Sequence, residues 1–184
     1  RQKEDTNKVI LLQTVASEYA EVMPQKGVEY GQQALALAQK LEWKTGAARA
    51  YTILGTNYNN MSRHNLSLEN YIAAAKLYQE TGNKKGEALA TGNMGTVYRS
   101  LGDSTQALES FTKAVQMFEE LGIKRGVAVY SGNIGNLYCD ELHNFPKALE
   151  YMEKSLKYFE EMGDKADITR TTYNIGNVYV MQGN

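Results

Sequence analysis

A six-residue block returns along this chain at spacings of 39 to 41, and that recurrence restricts the possible folds more than any other feature. Asn93-Met94-Gly95-Thr96-Val97-Tyr98 recurs as Asn133-Ile134-Gly135-Asn136-Leu137-Tyr138 and again as Asn174-Ile175-Gly176-Asn177-Val178-Tyr179. An earlier copy is Ile53-Leu54-Gly55-Thr56-Asn57-Tyr58, and a fainter one is Val15-Ala16-Ser17-Glu18-Tyr19. The small-residue column is Ala16, Gly55, Gly95, Gly135 and Gly176. A second block follows each copy except the last: Gly27-Val28, Ser67-Leu68, Ala107-Leu108 and Ala148-Leu149. The one-residue changes of spacing fall in the turns at Met23-Pro24 and Leu142 to Pro146. A unit this short cannot bury its own apolar face, so neighbouring units must stack.

Both blocks have helical periodicity. In the third repeat the first block places Ala90, Met94, Val97, Tyr98 and Leu101 at steps of three and four, which is one helix face. The second block does the same with Ala107, Leu108, Phe111, Ala114, Val115, Phe118 and Leu121. The fourth repeat gives Ala148, Leu149, Met152, Leu156, Phe159 and Met162. No stretch alternates with period two, so the fold class is all-α. The punctuation agrees. Gly82, Gly122 and Gly163 end second helices and Gly102 ends a first helix, where a left-handed residue stops a helix at little cost. Asp103 caps the next helix, with Gln106 completing a capping box. Pro146 stands in a first helical turn behind Asn144 and Phe145. Nine helices are predicted, near 5–22, 24–42, 44–61, 65–81, 84–101, 103–121, 124–142, 145–162 and 165–182. They form one repeat domain over 1–184, with repeats at about 5–42, 44–81, 84–121 and 124–162 and a half repeat at 165–184.

A mid-helix glycine costs ~1 kcal/mol against alanine, so a column of them needs compensation. Close approach of the paired helix supplies it: Gly95 should face Ala107 or Phe111, and Gly135 should face Ala148 or Met152. The opening Arg1 and the closing Gln182-Gly183-Asn184, which read as the start of a turn, make a fragment of a longer protein the expectation.

Several functional classes fit the composition badly. The longest apolar runs are a few residues, as in Val9 to Leu12, whereas a bilayer span needs ~20. The formal net charge of −1 provides no basic surplus to displace counterions from phosphates, so nucleic acid is not an expected partner. One cysteine, Cys139, allows no intrachain disulfide and leaves a zinc site short of thiolates. No cofactor is expected.

These residues carry a resemblance. The chain resembles the tetratricopeptide repeat family in a 40-residue form with a lengthened second helix, over four repeats and the first helix of a fifth. The family's Gly, Tyr, Ala, aromatic and Ala columns stand here as Gly95, Tyr98, Ala107, Phe111 and Ala114. Its tryptophan and proline columns are absent, Tyr51, Thr91, Ser131 and Thr172 standing where tryptophan would. The first repeat departs furthest, with Ala16 and Gly31 in place of Gly and the aromatic. The resemblance implies a right-handed superhelical solenoid of helix–turn–helix repeats with the first helices lining its concave side. The segments Thr81-Gly82-Asn83-Lys84-Lys85-Gly86 and Leu121-Gly122-Ile123-Lys124-Arg125-Gly126 are also similar to repeat regions of bacterial signalling proteins. So are the opening Asp5-Thr6-Asn7-Lys8-Val9 and Leu11-Leu12, which look like the start of regions that precede histidine-kinase or nucleotide-cyclase modules.

On that inner face a polar stripe runs opposite the apolar one: Asn93, Thr96 and Ser100, then Asn133, Asn136 and Asp140, then Asn174 and Asn177 above Met181. Asparagine donates and accepts at once, which suits a peptide backbone, and it is a mediocre helix former. The expected ligand surface is therefore Asn93, Thr96, Asn133, Asn136, Arg170, Asn174 and Asn177, holding an extended or helical segment. The competing expectation is that these asparagines bond each other or nearby backbone. Gly92 and Gly132, each preceding one of them, either widen the groove or allow tighter packing. Arg49 and Arg170, one helical turn before the column, would favour an acidic or phosphorylated segment. A carboxylate clamp of lysine, arginine and asparagine, known in some members, is not expected. Asn133 and Arg170 could supply parts, but Gly92 and Thr96 occupy the place of the lysine, and Thr52, Thr56 and Val129 serve no better.

The remaining chemical candidates are few. His64 and His143 are expected in the turns within their repeats. Cys139 and His143, at i and i+4, would be half a metal site. Glu119-Glu120 and Glu160-Glu161 sit near Lys124, Arg125 and Lys165 and read as solvated charge pairs rather than an acid–base pair. Trp43 and Ile123 share a turn column where packing on the next repeat is the first expectation. The function that follows is a non-catalytic scaffold for a protein or peptide partner. The alternative is a sensory or regulatory segment of a kinase or cyclase whose catalytic module lies elsewhere. End-to-end self-association through an uncapped last helix, with Ile175, Val178 and Tyr179 partly uncovered, is also expected. The cytoplasm is the first expectation for its compartment, the periplasm if it senses for a membrane-anchored protein.

Overall fold

The computed structural model describes the backbone of residues 2–183 and the side chains of residues 5–183. Among the described residues there are nine α-helices and no strand: α1 (Gln2–Val22), α2 (Pro24–Lys40), α3 (Lys44–Asn60), α4 (His64–Glu80), α5 (Lys84–Ser100), α6 (Ser104–Glu120), α7 (Lys124–Asp140), α8 (Phe145–Met162) and α9 (Lys165–Met181). Every helix lies where the periodicity puts it, to within a turn. The ends follow local chemistry. Gly82, Gly102, Gly122 and Gly163 take φ between 67° and 77°, the left-handed conformation that breaks a helix without a Cβ clash. Asp103 accepts from the Gln106 amide at 3.0 Å, and Asn144 accepts from the Lys147 amide at 3.2 Å, behind Pro146 in the first turn of α8. Asp164 caps α9 in the same way, from the Asp167 amide at 3.3 Å.

The chain falls into two compact units, the first running through Val97 and the second starting at Tyr98. In the first, α1 packs on α2, α2 on α3, α3 on α4 and α1 on α3. Its core is alanine-rich, so helices sit close: Val9, Ala34, Ala38, Ala47 and Ala50 are buried together, and Ala48, Ala74, Tyr78 and Ala90 form a second cluster. In the second unit α6 packs on α7, α7 on α8, and α8 on α9. Tyr130 stacks between Phe111 and Phe118 at centroid distances of 6.1 and 5.7 Å. Cys139, Ala148, Met152 and Val178 close the other side of α7.

The glycine column is a steric device, as its spacing implies. A Cβ on Gly135 would stand 2.6 Å from Met152 Cγ and 3.1 Å from the Ala148 carbonyl oxygen, and one on Gly55 would stand 2.9 Å from the Tyr71 ring. At Gly176 nothing described lies within 4 Å. A second column, at the start of the first helices, escaped the sequence reading. There a Cβ on Gly126 would stand 2.3 Å from the Phe118 ring, and one on Gly86 2.5 Å from the ring of Tyr78.

Three expectations need correction. Val178 is fully buried in the α7–α8–α9 cluster; the open face of α9 consists of Tyr173, Tyr179, Val180 and Met181, because the helix turns Val178 inward one step before Tyr179. His64 is not in a turn but opens α4, its Nδ1 lying 3.3 Å from Asn59 Oδ1. His143 lies beyond the last residue of α7, in a turn at φ 47°, so it shares no helix face with Cys139. Among the described residues, no three His, Cys, Asp or Glu side chains are placed to hold one metal ion, and no helix is long and apolar enough to cross a membrane.

Candidate functional site

In the second unit the first helix of one hairpin (α7), its partner (α8) and the next first helix (α9) enclose a cleft of about 360 Å³. Asn133 and Asn136 of α7, Asn174 and Arg170 of α9, and Ser155 of α8 face it, with Gly132 in the α7 wall. A second cleft of about 410 Å³ continues toward the end of α9, where Asn136 and Asn174 reappear beside Asn177, Cys139 and Met181. The helical register explains the gathering: Asn133 and Asn136 are one turn apart on α7, as are Arg170, Asn174 and Asn177 on α9. Thus five of the seven residues expected to form a ligand surface meet in this unit. Asn93, half-buried, and Thr96, exposed, belong to α5 in the first unit, and both already have partners of their own.

The asparagines are only partly consumed. Asn174 Nδ2 donates to Asn136 Oδ1 at 3.3 Å. Asn133 and Asn177 make no side-chain hydrogen bond among the described residues. Asp140, next in the stripe, is taken by Arg99 at 2.7 Å. On the floor of the first cleft sits Ser155, 1% exposed, its hydroxyl without a hydrogen-bond partner. That oxygen stands 3.1 Å from where a Cβ on residue 132 would be. Gly132 therefore lets α7 approach α8 at Ser155, the tighter packing that was one of the two expectations for it.

Charge is arranged at the rim. Arg170 pairs with Asp167 on its own helix, and Asp167 also receives Arg125 at 3.2 Å. Arg125 reaches Asp164 as well, at 2.6 Å, and this hydrogen bond holds the Asp164 carboxyl below its ordinary range. Lys124 does the same to Glu161 at 2.8 Å. Glu119 pairs with Lys154 of the next repeat at 2.7 Å, so one carboxylate of each sequence pair meets a lysine. Burial pushes the Cys139 thiol up, with Asp140 adding to the effect; its sulfur lies 3.5 Å from Met181 Sδ.

A further cleft of about 620 Å³ lies elsewhere, in the first unit between α2, α3 and α4. Trp43, Tyr51 and Leu77 make its apolar wall, and Lys44 bridges to Glu80 at 2.9 Å across its mouth. Trp43 is half-buried there and packs on the start of its own helix, since a Cβ on Gly46 would stand 2.4 Å from its ring. Packing thus accounts for Trp43.

The tetratricopeptide repeat family model matches residues 46–120. Helices on both sides of that segment continue the same hairpin, so this is a tetratricopeptide-like helical repeat chain. No curated protein sequence matches it. Among solved structures it is similar to BtubC (BKLC) from P. vanneervenii, with a TM-score of 0.75 at 19% identity over 100% of this chain and 85% of that one. A Rap protein complexed with competence and sporulation factor gives a TM-score of 0.84 at 24% identity over 90% of this chain. A signal transduction ATPase with a tetratricopeptide repeat sensor, from Pyrococcus horikoshii, gives 0.81 at 18% identity over 96% of this chain. The chain spans 46% of that Rap protein and 28% of that ATPase. At these identities the likeness is one of fold.

Proposed function

We propose that the chain is a non-catalytic module that holds a peptide or a segment of a partner protein along the first helices, with Asn133, Asn136, Asn174 and Asn177 as the gripping side chains. One observation carries this reading. In the second unit the polar column opens into clefts with bonding capacity unspent, where an internal network would have used it. Carboxamides can donate to and accept from a peptide backbone without a fixed charge. The structure of the Rap protein, a complex with competence and sporulation factor, supports this reading by likeness of fold. That of the ATPase, with its tetratricopeptide repeat sensor, gives the same support to a sensory role within a larger signalling protein. Replacing Asn133 and Asn174 together by alanine should weaken partner binding roughly tenfold or more, at about 1 kcal/mol per lost bond, with helicity retained. Normal binding together with an earlier melt would make the asparagines structural and defeat the proposal.

The face of α9 adds a second contact surface. Tyr173 is 68% exposed and Val180 72%, beside the uncovered Gly176. Apolar exposure of this kind favours association of copies through α9. Sedimentation should show a concentration-dependent increase in mass that Tyr173→Ser with Val180→Ser removes; a strict monomer at high concentration would contradict it.

A further inference from the structure

The two units treat equivalent positions differently, and the difference bears on what the α7–α8–α9 cleft accepts. In the first unit Thr56 Oγ1 lies 2.9 Å from the Tyr71 hydroxyl, and Thr52 donates to the Tyr78 hydroxyl at 3.5 Å. The corresponding residues of the second unit are Asn136 and Met152, then Gly132 and Phe159. Both tyrosine hydroxyls are gone and one threonine side chain is deleted. The small Ala74 becomes Ser155, so a hydroxyl now rises from the floor. Where the first unit sets threonine against tyrosine hydroxyls, the second has a cleft with a buried, unpartnered hydroxyl.

The lining selects by charge. Arg170 is its single charged residue and is already held by Asp167. Whichever of Asn136 and Asn174 donates in their mutual bond, the pair keeps one carboxamide oxygen and further N–H groups to offer. Asn133 offers both kinds, and so does the Ser155 hydroxyl. A carboxylate entering here would lose its water and meet acceptors as well as donors, with no free cation to compensate. A group that donates and accepts at once would satisfy the whole lining. Aliphatic contact with Val129, Met152 and Phe159 suits a short methylene stem.

We propose that this cleft receives an uncharged carboxamide, the side chain of a glutamine or asparagine in the held segment, seated on Ser155 and Asn133. The proposal rests on the groove reading above and narrows it. It also accounts for Ser155, since a buried hydroxyl left unbonded is a cost to the fold that a ligand recovers.

The test uses the full chain with labelled asparagine side chains, titrated with propionamide and separately with propionate, two probes that differ only in the head group. Propionamide should shift the side-chain amide signals of Asn133, Asn136 and Asn174 saturably, and propionate at equal concentration should not. Ser155→Ala should weaken the propionamide response roughly fivefold while leaving the unliganded melting temperature unchanged or raised. Equal response to propionate, no response to propionamide, or a wild-type response in Ser155→Ala would each overturn the proposal. The Asn133 and Asn174 double variant separates this from the wider reading. If that variant loses its partner while propionamide has no effect, the groove stands and the carboxamide preference falls.

Discussion

The α3–α4 hairpin of the first unit and the α7–α8 hairpin of the second share a register, yet one sets its hydroxyls against partners and the other buries two hydroxyls without any. In the first, Thr52 and Thr56 reach tyrosine hydroxyls, Ser67 donates to the Gly55 carbonyl at 2.7 Å, and Asn57 donates to the carbonyls of Ile53 and Ala16. In the second, Met152 and Phe159 replace the tyrosines, and the hydroxyls of Ser131 and Ser155 are buried without partners. Both hairpins keep a close approach at the glycine column, Gly55 against Tyr71 and Gly135 against Met152. The exchange of a few side chains thus changes which polar groups of a repeat find partners while the hairpin is kept.

The largest expected effect tests what the hairpins share. Gly135→Leu would drive a side chain into Met152 and the Ala148 carbonyl, and should cost about 1–3 kcal/mol, read as a lowered denaturant midpoint. The same change at Gly176, where nothing described stands within 4 Å, should shift the midpoint far less. Equal effects at the two sites would show that the column reports helix propensity and not helix approach. A smaller effect tests what divides them. Tyr71→Phe should remove one of the two partners of Thr56, which keeps its bond to the Thr52 carbonyl, and cost ~1 kcal/mol of stability. Burial pushes the Tyr71 phenol above its ordinary value. In the second unit Ser155→Ala removes a hydroxyl that has no partner and should cost nothing. If Tyr71→Phe is also neutral, the first unit's closure is not what braces it.

Much of the fold could be read from the residues before any coordinates. The spacing of Gly55, Gly95, Gly135 and Gly176 implies repeated hairpins, and steps of three and four in Ala107, Phe111, Ala114 and Phe118 imply which face is buried. Capping at Asp103 and left-handed glycines at Gly82, Gly122 and Gly163 follow from short-range chemistry. The glycines at Gly86 and Gly126 were harder, because the rings that press on them belong to the preceding helix. At the candidate site, Asn133, Asn136, Asn174 and Asn177 could be named from their phase, and Gly132 could be singled out but not interpreted. Ser155 was missed. A signal for it existed in the column that runs Ala74, Ala114, Ser155, but a serine among small residues reads as packing.

What the sequence determined alone was therefore periodic: helix count, hairpin pairing, the glycine approach and the face on which the asparagines lie. All of these depend on residues within a few turns of one another, where the helical repeat fixes geometry. Tertiary structure decided which polar groups are consumed. Thr56 is satisfied by a hydroxyl on α4, Asn174 meets Asn136 across 38 residues, and Arg170 is tied to Asp167 while Arg125 reaches the same carboxylate from α7. A hydrogen bond is made or lost over a fraction of an ångström, a precision that helical phase alone does not carry.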